Sequence, residues 1–210
     1  MAKTLYLMRH GQTVFNVRRL IQGWCDSPLT ERGIAQAKLT RDHIEELGLT
    51  FDHAYSSSAE RAMDTVDIVT RGRMRCERTK GLKEFHYGLL EASSYDLVLP
   101  GTYESYGDFL VPFGGDSEDA VRARMTATLT EIMERPGHER VLAVSHGACI
   151  RAFTSYWDAH NVVHINSVAR NCSLYTFSYE EGVFSLVDLF EPDDSVLDSC
   201  EGRDVARVTD

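Results

Sequence analysis

Leu5-Tyr6-Leu7-Met8-Arg9-His10-Gly11-Gln12-Thr13 decides the fold of this chain. A short apolar run ends abruptly in a cation, an imidazole and a glycine. That pattern predicts a buried strand over residues 4–8 whose carboxyl end opens toward a ligand, as in open α/β sheets. Glycine at position 11 lets the backbone turn and approach a bound group closely. The arrangement recurs late in the chain. Val141-Leu142-Ala143-Val144-Ser145 is again an apolar run, and it ends in His146-Gly147. A single histidine after a strand is usually a turn residue. Two such histidines together with Arg9 point to a pocket for a phosphoryl group.

Between and beyond these strands the hydrophobic period is helical. Residues 31–47 predict a helix capped by Thr30, with Glu31 in its first turn, Ile34, Ala37, Ile44 and Leu47 on its buried face, and Gly48 as its stop. Phe51–Ser56 predicts a second strand. Ser57-x-x-Glu60 reads as a capping box that opens a helix to about Arg71, with Ala59, Ala62, Met63, Val66 and Val69 facing inward. Residues 117–134 predict a helix stopped by Pro136-Gly137, and 147–157 another. Residues 173–178 and 183–190 are aromatic and β-branched runs joined by Tyr179-Glu180-Glu181-Gly182, a hairpin. The expectation is an α/β, three-layer sandwich: a mostly parallel central sheet with an antiparallel edge and helices on both faces. Residues 1–190 form one catalytic domain in this reading. Residues 191–210 carry seven acidic residues against Arg203 and Arg207 and form a loosely attached acidic tail.

Composition removes several function classes. The 210 residues hold 22 basic and 32 acidic side chains, a net charge of −10 that disfavours a nucleic-acid partner. No apolar run is long enough to span a bilayer, and no signal segment precedes Leu5, so no membrane partner is expected. Five cysteines without any Cys-x-x-Cys pair argue against a disulfide framework or a structural zinc site and fit a reducing cytoplasm. Motifs for cysteine-dependent, aspartyl-phosphate and P-loop chemistry are absent, and His160 and His164 lack the intervening glutamate of a zinc helix.

Phosphoryl transfer needs a nucleophile, groups that hold three equatorial oxygens, and an acid for the leaving oxygen. His10 is the candidate nucleophile. Arg9 and Arg61 offer planar forks suited to phosphate oxygens. An arginine in the first turn of a helix opposes the macrodipole, and a bound anion would justify Arg61 there. His146 and Gly147 open a helix whose free N–H groups attract an anion. Glu84, between apolar residues in Leu82-Lys83-Glu84-Phe85-His86-Tyr87-Gly88, is a candidate acid and equally an ordinary strand-end glutamate.

The ordered set of motifs resembles the histidine phosphatase superfamily, also called the phosphoglycerate-mutase-like family, and its phosphatase-type branch. The resemblance covers residues 4 to about 190. It rests on Arg9-His10-Gly11-x-Thr13-x-x-Asn16, Gln22-Gly23 and Asp26-x-Pro28-Leu29-Thr30-x-x-Gly33-x-x-Gln36-Ala37. It continues in Ser56-Ser57-x-x-x-Arg61-Ala62-x-x-Thr65, Glu84-x-x-Tyr87-Gly88 and Ser145-His146-Gly147. It implies a phosphohistidine at His10, a proton donor in Glu84, and a phosphate pocket of Arg9, Arg61 and His146 with Asn16 beside it. Gln22, Gly23 and Gly147 are the further substrate-binding candidates. No cofactor and no metal are implied. Two positions depart from the family pattern. Glu91-Ala92 stands where Glu-Gly is common, and Asp116-Ser117 where Glu-Ser is commoner.

The implied activity is hydrolysis of a small phosphomonoester. A 2,3-bisphosphoglycerate-dependent phosphoglycerate mutase is the alternative, and a catalytically inactive regulatory protein on the same fold a third reading. A homodimer is left open. Residues 86–121 weigh against the mutase. They contain Glu91, Asp96, Glu104, Asp108, Asp116, Glu118 and Asp119, several aromatic residues, and no Lys or Arg. Such a lid is expected to repel a polyanion, unless Arg18 and Arg19 supply the missing cations.

Overall fold

The computed structural model describes residues 2–98, 105–165 and 170–197. Six strands form one sheet: β1 (Lys3–Arg9), β2 (His53–Ser57), β3 (Cys76–Thr79), β4 (Arg140–Ser145), β5 (Leu174–Glu180) and β6 (Val183–Phe190). Their spatial order is β3-β2-β4-β1-β5-β6. The first four strands are mutually parallel, and β5 and β6 run antiparallel on the β1 side. The predicted mixed sheet is therefore observed. In β1, successive residues face opposite sides of the sheet, and the two sides have separate cores. Leu5 and Leu7 pack with Val141, Ala143, Phe153, Phe177 and the helices α5 (Glu118–Glu134) and α6 (Gly147–Tyr156). Tyr6 and Met8 pack with Ala37, Ile44, Ala62 and Val66 from α2 (Glu31–Glu46) and α3 (Glu60–Thr70). Two short helical turns, α1 (Val14–Val17) and α4 (Tyr95–Val98), lie in the loops above the sheet.

Several local expectations change. Thr30 caps α2 as predicted, its side chain accepting from Gly33 N, but Leu47 is 59% exposed and lies outside the buried face. Ser57 opens no capping box: it ends β2, and α3 begins after Ala59, which makes no side-chain cap. The cap comes from a distant loop, where Asp26 Oδ2 accepts from Glu60 N at 2.6 Å. Met63 is only half-buried, because Arg61 and Thr65 occupy the inward face of α3 instead. β3 escaped the sequence reading because Cys-Glu-Arg-Thr has no apolar alternation, as suits a charged edge strand. The hairpin is tighter than predicted. β5 runs on to Glu180, leaving Glu181 and Gly182 as a two-residue turn with φ of 49° and 85°.

The described part of the expected loose tail is tied down. Asp194 accepts from Gln36 Nε2 at 2.5 Å and from Arg32 Nε at 3.3 Å, and Arg32 also donates to the Asp194 carbonyl. Residues 198–210 lie outside the described residues. Among those described, no helix is long and apolar enough to cross a membrane.

Candidate active site

Parallel pairing puts the carboxyl ends of β1, β2 and β4 on one edge of the sheet, and each supplies part of the site. Arg9 ends β1 with His10 after it, Ser57 ends β2, and His146 follows Ser145 at the end of β4. A cavity of about 310 Å3 opens there, lined by Arg9, His10, Asn16 and Gln22 on one side and Glu84, Tyr87, Tyr95, Tyr106 and Gly147 on the other. These residues are spread over more than a hundred positions of sequence, and the sheet order brings them together.

The hydrogen bonds fix the state of both imidazoles. His10 Nδ1 lies 2.7 Å from its neighbour's carbonyl, Gly11 O, which can only accept, so the ring proton is on Nδ1. Nε2 then carries the lone pair, and Arg61 Nε donates to it at 3.3 Å. The same Arg61 Nε donates to His146 Nδ1 at 3.1 Å, which places the His146 proton on Nε2, 2.8 Å from Ser57 Oγ. Burial pushes both histidines well below the usual imidazole range, and the neighbouring Arg61 adds to the shift in each. Both rings are neutral near pH 7. The Ser57 side chain, released from capping α3, is thus the partner that orients His146.

Arg61 is wholly buried. Beyond the two imidazoles, its Nη1 donates to Asp26 Oδ1 at 2.8 Å and to Cys25 O, and its Nη2 donates to Gly23 O at 2.9 Å. Arg61 and His146 pack against His10 and are not among the residues that line the cavity. The reason for an arginine in the first turn of α3 is this bonded cluster, in which Asp26 neutralises the charge.

Gly23 likewise does not line the cavity. Its N–H goes to Glu91 Oε2, and a Cβ there would stand 2.3 Å from Phe85 O, so glycine is required for contact with the Glu84 loop. A Cβ on Gly11 would stand 2.6 Å from Gly33 O. The close approach inferred for Gly11 is made with the start of α2, not with a ligand. Asn16 and Gln22 are oriented by Thr13: its N–H donates to Asn16 Oδ1 and its hydroxyl to Gln22 Oε1 at 2.7 Å.

The first-turn N–H groups of α6 are taken by a side chain of the chain itself. Glu84 Oε1 accepts from Cys149 N at 2.8 Å and from Phe85 N at 2.9 Å, and Oε2 accepts from Ala148 N at 2.9 Å. The backbone around Glu84 is held as firmly. Arg124 on α5 donates to the carbonyls of Gly81, Lys83 and Glu84, and Trp24 Nε1 donates to Glu84 O at 3.1 Å. Sequence reasoning missed Arg124 and Trp24, which no local motif marks, and read Glu91 only as part of the loop after Glu84 and of the acidic lid. Glu91 receives four N–H groups, from Gly23, Trp24, Cys25 and Tyr87, and so staples the Gln22-Gly23 loop to the Glu84 loop.

The expected carboxylate lid needs correction. Glu91 is consumed by those N–H groups, Asp96 by Arg19, Asp116 by His86 N and Arg124, and Glu118 by Ser105, Tyr106 N, Gly107 N and Arg122. Among the described residues, no lid carboxylate lines the cavity; Tyr87, Tyr95 and Tyr106 do. Glu104 falls outside the described residues.

The comparisons agree with this geometry. The sequence profile of the histidine phosphatase superfamily, branch 1, matches residues 5–192. The chain belongs to that superfamily. A probable phosphoglycerate mutase GpmB from Yersinia pestis (strain Pestoides F) is 32% identical over 188 residues, covering 84% of this chain and 85% of the relative. Among solved structures, Bacillus stearothermophilus YhfR superposes with a TM-score of 0.77 at 27% identity, covering 88% of this chain and 95% of that one. A phosphoserine phosphatase from Entamoeba histolytica, solved in complex with 3-phosphoglyceric acid, gives 0.70 at 25% identity, covering 91% and 98%. Mutases and phosphatases thus both stand among the superfamily members similar to this chain. Its two departures from the superfamily pattern have local readings. Ala92 adopts a left-handed φ of 61°, where glycine is unstrained. Asp116 still reaches His86 N, at 2.9 Å.

Proposed function

We propose that the chain is a metal-independent phosphomonoester hydrolase that works through a phosphohistidine on His10. The observation that carries this is the neutral His10 ring, held by Gly11 O so that its Nε2 lone pair stands at the cavity shared with Arg9 and Glu84. In the first step Nε2 attacks phosphorus, the bond to the leaving oxygen breaks, and Glu84, entering protonated, gives that oxygen its proton. The Arg61 N–H that was shared between His10 Nε2 and His146 Nδ1 then turns to a phosphoryl oxygen, next to the Arg9 fork. In the second step the Glu84 carboxylate takes a proton from water, the water oxygen attacks phosphorus, and the P–N bond breaks. Inorganic phosphate leaves, with His10 neutral and Glu84 protonated again.

Hydrolysis is favoured over the mutase reaction by the lining of the cavity. A mutase must hold a carboxylate and a second phosphate along with the transferred one. Arg9 is the cation among the described residues that line this cavity, and three tyrosines line it as well. The acid and the attacking ring are both intact, which disfavours an inactive binding protein. The test is turnover of 4-nitrophenyl phosphate with and without chelator, combined with trapping of the phosphoenzyme by an alkaline quench. Wild type should form an alkali-stable, acid-labile phosphoenzyme and be indifferent to chelator, and His10→Ala should show neither label nor turnover. Loss of activity with chelator, or faster transfer from a bisphosphoglycerate primer to phosphoglycerate than to water, would contradict the proposal.

A further inference from the structure

The phosphoryl cavity does not end at Tyr95. A second cavity of about 240 Å3, lined by Arg9, Phe15, Asn16, Arg19, Leu20 and Tyr95, shares Arg9, Asn16, Leu20 and Tyr95 with the first. The two make one cleft, with His10 and Glu84 at the inner end and Arg19 at the outer. The outer end is where the bulk of a leaving group comes to lie when phosphorus is at His10. Among the residues that line the cleft, Arg9 and Arg19 are the cations. Arg9 lines both ends, so Arg19 is the cation particular to the outer end.

Arg19 is already matched. Its Nε donates to Asp96 Oδ2 at 2.7 Å and its Nη2 to Asp96 Oδ1, a two-point fork on one carboxylate. The guanidinium lies 5.8 Å from the Tyr95 ring centroid. The backbone holds the pair in place as well. Arg19 has a left-handed φ of 52°, its carbonyl accepts from Tyr95 N at 2.8 Å, and Leu20 bridges antiparallel to Ser94. The chain accepts an unfavourable conformation at a non-glycine residue to keep this cation beside α4. Asp96 itself is not part of the lining.

We infer that Asp96 is a specificity-determining residue: by occupying the Arg19 fork it makes the outer end of the cleft electrically neutral and selects monoesters with uncharged leaving groups over those that carry a carboxylate or second phosphate. This rests on the hydrolase reading for the word substrate, but the charge recognition can be measured without turnover.

The probe pair is 3-phosphoglycerate and 4-nitrophenyl phosphate, titrated calorimetrically into His10→Ala protein, which cannot turn them over, and into the same protein carrying Asp96→Asn. Unmasking Arg19, whose side chain is 62% exposed, should tighten 3-phosphoglycerate about three- to fivefold and leave the aryl ester nearly unchanged, with the gain shrinking as salt rises. Adding Arg19→Met should erase the gain. In His10-intact enzyme, Asp96→Asn should raise kcat/KM for 3-phosphoglycerate relative to the aryl ester by a similar factor, mainly through KM. Equal loss for both ligands, or no selective gain, overturns the inference and leaves Asp96 as a structural tie between the loops. Persistence of the gain without Arg19 overturns it too. If the binding selectivity changes as stated but intact enzyme hydrolyses neither ester, the hydrolase reading falls and the charge assignment stands.

Discussion

At the scale of single residues, the site depends on groups whose protonation is fixed by bonding. If Glu84 is the acid, Glu84→Gln should lower kcat for an alkyl phosphate by about 10²–10⁴. The loss should be far smaller for 4-nitrophenyl phosphate, whose leaving oxygen needs little protonation. Steady-state kinetics on the two esters decides this, and an equal loss counts against the role. The buried histidines predict a stability profile. In the folded protein His10 and His146 are held well below the usual histidine range, first by burial and then by Arg61. Unfolded, both titrate near pH 6.5. Their stabilising contribution is therefore complete above about pH 6.5 and is lost as pH falls below it, because only the unfolded chain takes up the protons. Each histidine can contribute up to about 1.4 kcal/mol per pH unit. Urea unfolding between pH 7.5 and 5 should show a steep decline, shallower in His146→Gln. His138, also pushed down by burial, leaves a residual slope.

At the scale of elements, loops are stapled to strands by charged side chains that bond to backbone, and this explains what the sequence could and could not disclose. β1, β4 and their terminal histidines were legible because an apolar run ending in His-Gly is a local pattern. α2 was legible from its Thr30 cap. Arg61 was placed at the site by its position in a first helical turn, but nothing local reveals that it bonds to two imidazoles and to Asp26. Ser57 and Glu60 mimic a capping box, yet the preceding strand runs through Ser57 and turns its hydroxyl toward His146. β3 lacks apolar alternation and is held by pairing with β2. The acidic lid looked electrostatic because a sequence lists charges without their partners. The loop after Glu91 offers a direct check. Ala92 is exposed with a φ of 61°, so Ala92→Gly should relieve strain, less the entropy glycine adds to the unfolded chain, for a net gain of about 0.5–1 kcal/mol. A rise in melting temperature of about 1–4 °C with unchanged kcat is expected, and a fall would show that the side chain packs usefully.

At the scale of the whole molecule, the terminal segment that follows the sheet returns to α2. Asp194 bonds to Arg32 and Gln36, and Gln36 Oε1 in turn accepts from Gln12 N two residues after His10. Asp194→Ala should cost about 1–2 kcal/mol, since it leaves two half-buried donors without their carboxylate. The melting temperature should fall by a few degrees, and an unchanged value would return the segment to the status of a loose tail. The strand order has a consequence for how the molecule comes into being. β1 is made first, yet its parallel neighbour β4 lies some 130 positions later, and β5 on its other side later still. A nascent chain leaving the ribosome holds Arg9 and His10 with neither flank of their strand satisfied. Contacts so distant in sequence are slow to form. The apolar face of Leu5–Met8 thus waits unpaired while most of the chain is synthesised, and His10 and Glu84 meet only when β4 and α6 have emerged.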